Sequence, residues 1–165
     1  MAIITLNLGC GNDYRESPNE FEQIWINLDK GNCKADIHLD MEFTPWKKDD
    51  GQIIPNDYFD GILAVQTLEH ISKEDFADVI REMYRISKPG AVWNIVVPHG
   101  LSDNFITDPT HVMPFSTRTF DYFIDETQLR ENGIIYGWED IKLRHTVAPI
   151  VDANQSIHFS LTVIK

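Results

Sequence analysis

The chain has 165 residues, 42% of them hydrophobic and 11% aromatic, and 26 acidic against 14 basic side chains give it a formal charge of −12 at pH 7. A chain of this size and composition buries a core without a staple, so its two cysteines, Cys10 and Cys33, read as reduced thiols. The acidic balance disfavours a protein that lives on nucleic-acid phosphates, no apolar run approaches the ~20 residues of a membrane span, and the opening residues lack a basic leader, so a cytoplasmic protein is expected.

In chain order, residues 3–8 form an apolar run stopped by Gly9-Cys10-Gly11, and residues 23–28 form a second, stopped by Asp29-Lys30-Gly31. Both read as buried parallel strands. A third short strand over 35–39 ends at Asp40, and a fourth over 59–65 ends at Gln66-Thr67. Ser72 and Asp75 resemble a capping box, and Phe76, Val79, Ile80 and Met83 then recur at helical spacing until Lys88-Pro89-Gly90 stops the pattern. A fifth strand over 91–97 follows, closed by Pro98-His99-Gly100, which makes a right-handed strand-helix-strand crossover.

Residues 101–115 are polar, contain Pro109 and Pro114, and predict a loop. Ser116 is placed to cap a helix carrying Phe120, Phe123 and Ile124, expected to stop near Asn132-Gly133. Segments 140–147 and 156–164 alternate and flank a polar turn region at Asp152-Ala153-Asn154, which predicts an antiparallel hairpin. With no repeat or linker, residues 1–165 read as one domain: a doubly wound α/β sheet, mostly parallel, with a C-terminal antiparallel hairpin.

In such a sheet a ligand binds beyond the carboxyl ends of the strands where their order reverses. Gly9 and Gly11 allow a sharp turn and a close approach to a bound molecule, and Asp29 lies twenty residues beyond Gly9, the spacing of an acid that accepts from a ribose diol. Together they point to a nucleoside-containing ligand. The third glycine of a dinucleotide fingerprint would fall at Tyr14, and no apolar helix pattern runs between Asn12 and Glu22, so a pyrophosphate has no helix N-terminus to bind. NAD and FAD are therefore the weaker readings.

The phrases Leu6-Asn7-Leu8-Gly9-Cys10-Gly11, Asn27-Leu28-Asp29, Ala35-Asp36-Ile37-His38-Leu39-Asp40, Phe59-Asp60, Leu68-Glu69-His70 and Met83-Tyr84-Arg85-Ile86-Ser87-Lys88-Pro89-Gly90 occur in that order. This series resembles the class I S-adenosylmethionine-dependent methyltransferases, with their Rossmann-like sheet. It is similar in particular to the subgroup found with sugar and cell-surface pathways, as is the segment Asp108-Pro109-Thr110-His111 followed by Phe115-Ser116. The resemblance implies S-adenosylmethionine as cofactor. Gly9, Cys10 and Gly11 would lie against its methionine part, Asp29 on the ribose hydroxyls, Asp40 on the adenine amino group with Met41 beside the ring, and Gln66 along the methionine pocket. The chain departs from the family pattern at Asn7, where an acid is usual, and at Asp13, where a third glycine often sits. With the first strand read from residue 3, the family's N-terminal helices are not expected here, and a second copy of the chain is the expected means of completing that side of the pocket as a homo-oligomer.

Each of these residues has a structural alternative. Gly9 and Gly11 also suit a plain turn, Asp29 a cap, and Cys10 a small buried hydrophobe. His70 and Asp108 are read as lining the acceptor side, with His70 equally suited to structural hydrogen bonding. His99, Asp103, Asp108 and His111 follow the fifth strand without the spacing of a metal motif, so no metal is expected, and a general base is the better reading, His111 first and His99 second. The motifs of the amino and cytosine-C5 nucleic-acid methyltransferases are absent. What remains is a small-molecule acceptor, with a sugar or metabolite hydroxyl favoured by resemblance. A non-catalytic cofactor-binding or scaffold module of the same fold is the alternative.

Overall fold

The computed structural model describes residues 2–19 and 21–165. Seven strands make one sheet: β1 (Ile3–Leu8), β2 (Gln23–Asp29), β3 (Ile37–His38), β4 (Phe59–Val65), β5 (Ser87–Pro98), β6 (Leu143–Val151) and β7 (Ser156–Val163), in the spatial order 3-2-1-4-5-7-6. The chain winds outward from β1 in both directions, β2 and β3 to one side and β4 and β5 to the other, all parallel. β7 then inserts antiparallel beside β5, with β6 as its hairpin partner. The expected mostly parallel Rossmann-like sheet with its C-terminal hairpin is thus present, and the strand order reverses between β1 and β4.

The strands are buried on one face rather than on two. The cross-strand rows Leu6-Ile62-Trp93-Leu161 and Leu8-Ala64-Ile95-Phe159 are almost fully buried. The rows on the opposite face hold Thr5, Asn7, Leu63, Asn94, Ser160 and His158, most of them wholly or partly open to solvent. The reason is in the connections: among the described residues, those from β1 to β2, β2 to β3 and β3 to β4 carry no helix. Helix α1 (Phe76–Ile86) packs Phe76, Val79, Ile80 and Met83 on the apolar face. Its Glu82 accepts from Trp46 N–H at 2.7 Å and pairs with Arg85, which fastens the irregular 39–58 connection beneath it. Ser72 and Asp75 do meet ahead of α1, the Asp75 N–H donating to Ser72 Oγ and the Ser72 hydroxyl to Asp75 Oδ2, but the Ser72 N–H donates to Glu42 Oε1, so the reciprocal box is not closed and Asp75, which directly precedes the helix, makes no side-chain cap.

Four expectations need correction. The third strand is only two residues, Asp36 before it being taken up by the backbone and side-chain N–H groups of Asn27, from which its carboxylate accepts. The fifth starts at Ser87 and not at 91, directly after the helix ends, and Pro89-Gly90 sit within it at a bulge where Gly90 takes φ +81°. Segment 101–115 is not all loop: Ser102 caps a short helix α2 (Asp103–Thr107) by accepting from Phe105 N–H. The helix expected from Ser116 is broken into a 3-10 turn (Thr119–Phe123) and helix α3 (Arg130–Ile135).

That break is held by one buried cation. Arg130 is 5% exposed and donates to Asp125 Oδ1 at 2.9 Å and to the carbonyls of Tyr122, Trp138 and Glu139. Removing it strands three carbonyls in a buried junction, so Arg130→Met should lower unfolding free energy by about 2 kcal/mol, read as the shift of a urea midpoint at unchanged m. No helix of the described residues is long and apolar enough to cross a membrane.

Candidate active site

At the order reversal the carboxyl ends of β1, β2 and β4 surround a cavity of about 270 Å³. Gly9, Gly11, Asp29, Asp40, Gln66 and His70 line it, together with buried Met41. Gly9 takes φ +67° against Thr67, whose hydroxyl lies 3.1 Å from Leu8 O and stitches the β4 turn to the end of β1. Gln66 holds φ +51°, a sparsely populated conformation for a non-glycine residue.

Asp29 spans two loops. Its Oδ2 accepts from Gly11 N–H at 2.8 Å and its Oδ1 from Gly31 N–H at 2.6 Å, which sets the β1 and β2 turns against each other. Each oxygen keeps a further lone pair for a ligand hydroxyl. Asp40 accepts from Glu42 N–H and lies 3.3 Å from Lys30 Nζ. Three carboxylates, Asp29, Asp40 and Glu42, face one ammonium, Lys30. Such a pocket favours a cationic, diol-bearing ligand and repels a pyrophosphate.

Cys10 does not line the cavity. It is buried with Sγ toward Lys34 O, and burial, then the neighbouring Cys33 and Asp29, push its thiol up to about 12. At neutral pH it is a thiol, not a nucleophile.

Beside the cavity, on the His70 side, lies a second group of titratable side chains. The carbonyl of Glu69 accepts from Val112 N–H at 2.8 Å and Met113 N–H at 3.0 Å, so the segment after α2 is pinned across the Leu68–His70 turn. This contact brings Asp108 and His111 to Glu69 and His70. His111 Nδ1 lies 3.2 Å from Phe105 O, an acceptor, and so carries the proton. In the neutral ring its Nε2 is then a lone pair, 3.9 Å from Glu69 Oε1 and 3.7 Å from Asp108 Oδ2. The Thr110 hydroxyl donates to Asp108 Oδ1 at 2.6 Å, so it accepts from His70 Nδ1–H at 3.0 Å and leaves His70 Nε2 unprotonated in the neutral ring.

Glu69 is 0% exposed, and neither of its carboxylate oxygens has a hydrogen-bond partner. Burial pushes its carboxyl from 4.5 up to about 7; the nearby N–H groups of Glu69 and Thr67 temper the rise without bonding it. A carboxyl raised in the folded state favours folding below its unfolded value and loses that contribution as pH climbs through the folded one. Glu69 should therefore contribute a loss of about 3 kcal/mol of stability between pH 4.5 and 8, read as the difference between the parent and Glu69→Gln in urea titrations at fixed pH values.

Of the residues proposed from sequence, Gly9, Gly11, Asp29, Asp40, Met41, Gln66 and His70 line one cavity, and Asp108 and His111 stand beside it. His99 is elsewhere: its N–H donates to Gln155 O, its Nδ1 accepts from Leu101 N–H, and it belongs to neither group. Sequence reasoning assigns no role to Glu69. The available signal is an acid between Leu68 and Ile71, both buried, directly before a histidine.

A family model described as a methyltransferase domain matches residues 26–94. No curated protein matches the sequence. A S-adenosylmethionine-dependent methyltransferase from Archaeoglobus fulgidus is similar in structure, with a TM-score of 0.57 at 16% identity over 98% of this chain and 86% of that one. One from Aquifex aeolicus gives 0.59 at 13% identity over 98% and 82%. The [4+2]-cyclase SpnF gives 0.60 at 11% identity over 99% and 75%. At these identities the likeness shows the fold. With the family match, it supports a methyltransferase and S-adenosylmethionine as its cofactor.

Proposed function

We propose that this chain transfers the methyl group of S-adenosylmethionine to a hydroxyl of a small molecule, a sugar or related metabolite. The observation that carries the reading is the cavity at the order reversal, where two glycine turns and three carboxylates face one lysine. That electrostatic balance suits a sulfonium cation with a ribose diol. Asp29 and Asp40 would hold the nucleoside, and Gly9, Gly11 and Gln66 the methionine part, whose methyl would point toward His70. Methyl transfer is an in-line displacement at carbon: the acceptor oxygen bonds the methyl, the carbon–sulfur pair returns to sulfur, and S-adenosylhomocysteine leaves. The acceptor's proton has a receiver in His111 Nε2, whose lone pair is fixed by the bond from Nδ1–H to Phe105 O. His70 and Asp108 would flank the acceptor.

The same fold in a cyclase is the reason to keep a second reading, in which the cavity binds the cofactor and no methyl moves. Incubating the protein with methyl-labelled S-adenosylmethionine and panels of polyols, sugar derivatives, tRNA and DNA separates the two. Label appearing in a small hydroxylated acceptor is expected. Label in nucleic acid would overturn the acceptor class, and cofactor binding with no labelled product would establish the second reading.

A further inference from the structure

We propose that Glu69, His70 and His111 form a binding site for a divalent first-row transition-metal ion, with Asp108 positioned to complete it. One ligand atom from each of the three lies within 4.8 Å of the other two. Two imidazole nitrogens and a carboxylate oxygen are the donor set that holds such ions with positions left open. Bonds of about 2.1 Å to one ion bring ligand atoms to about 3.4 Å apart, so closing the set moves each by less than about 1 Å.

The carboxylate supplies an independent argument. Both oxygens of Glu69 are wholly buried without a partner, and His111 Nε2 at 3.9 Å is too far to bond them. Buried carboxylates are paired or coordinate metals, and a cation between Glu69 and His111 satisfies both groups at once. The imidazoles are also held as metal ligands are held. His111 donates Nδ1–H to Phe105 O and leaves Nε2 facing Glu69, while His70 is anchored through Nδ1 to Thr110 and offers one ring nitrogen to the group. Asp108, with Oδ1 tied to Thr110 and Oδ2 3.7 Å from His111 Nε2, offers the fourth oxygen on the solvent side.

His70 also lines the cofactor cavity, so an ion here stands at the end of the pocket where the acceptor would enter. Its open positions suit an acceptor with two adjacent oxygens, such as a vicinal diol. With the ion seated, His111 Nε2 is a ligand, and the ion takes over activation by acidifying a coordinated hydroxyl. The hydroxyl proton passes to water, the oxygen attacks the methyl carbon, and the carbon–sulfur pair returns to sulfur. This catalytic consequence rests on the methyltransferase reading; ion binding does not.

The test begins with metal-stripped, folded protein titrated with Co2+ and Zn2+ by calorimetry. One ion per chain is expected, with affinity falling about a hundredfold or more in Glu69→Gln and in His111→Ala. His70→Ala, a change at an exposed side chain, serves where either of those variants loses its far-ultraviolet dichroism. Cys33→Ser should bind as the parent does, and the Co2+ spectrum should show ligand-field bands without thiolate charge transfer. No binding, binding that survives the ligand variants, or binding lost in Cys33→Ser would overturn the site; the last would move it to the Cys10, Asp29 and Cys33 group. In labelled-methyl assays a chelator should stop turnover and the ion restore it. Turnover that persists in chelator would remove the ion from the chemistry. An ion bound with no acceptor methylated would overturn the methyltransferase reading and leave the site standing.

Discussion

Gly9→Ala should abolish S-adenosylhomocysteine binding and lower the unfolding free energy by about 2 kcal/mol or more. At φ +67° an L side chain is strained, and a Cβ built there lies 2.3 Å from Thr67 Cγ2 and 2.5 Å from its Oγ1. Thr67 is 6% exposed and reaches Leu8 O, so it has nowhere to retreat. The added methyl must push the β1 turn away from the β4 turn, and these two turns carry Gly9, Gly11, Gln66 and His70 of the cavity. Gly11 is the internal control. Its φ is +47° but a Cβ there meets nothing within 4 Å, so Gly11→Ala should cost only about 1 kcal/mol in stability. Calorimetric binding and urea unfolding of both variants read the difference, and wild-type affinity in Gly9→Ala would contradict the placement of the cofactor.

His111→Ala should cut methyl transfer about a hundredfold or more while leaving the S-adenosylhomocysteine dissociation constant within about twofold. The split follows from geometry: His111 is absent from the cavity lining, yet its Nε2 faces Glu69 and Asp108 beside His70, where the proposed acceptor would sit. Whether it takes a proton or holds an ion, its loss removes acceptor activation and spares cofactor contacts. A rate within threefold of the parent would remove His111 from the chemistry. A parallel loss of cofactor affinity would instead mean that the segment after α2 shapes the cavity.

The motifs at strand ends were legible because they are local. Gly9 and Gly11 stop β1, and Asp29 and Asp40 close β2 and β3, so their spacing alone set them around one pocket. The Ser72–Asp75 pairing ahead of α1 and the apolar stripe of that helix were legible for the same reason. What sequence reasoning missed depended on distant partners. The single break between Phe123 and Arg130 is set by a guanidinium that reaches carbonyls on both sides of it, which no helical periodicity records. The role of Glu69 arises from Val112 and Met113, more than forty residues downstream, which fold Asp108 and His111 onto it. One missed feature did have a signal. Thr5, Asn94, Ser160 and Thr162 alternate with apolar neighbours, the pattern of strands covered on one face, not of parallel strands buried on both.

The central claim is that the cavity at the order reversal holds S-adenosylmethionine, and thermal unfolding with excess ligand tests it most directly. At about 100 times its dissociation constant a ligand adds roughly 2.7 kcal/mol. For a domain of this size that is a rise in Tm of about 5–10 °C. The account predicts that rise with S-adenosylmethionine and with S-adenosylhomocysteine, none with NAD, and its loss in Gly9→Ala. No shift with either sulfur ligand, or a shift with NAD alone, would contradict it.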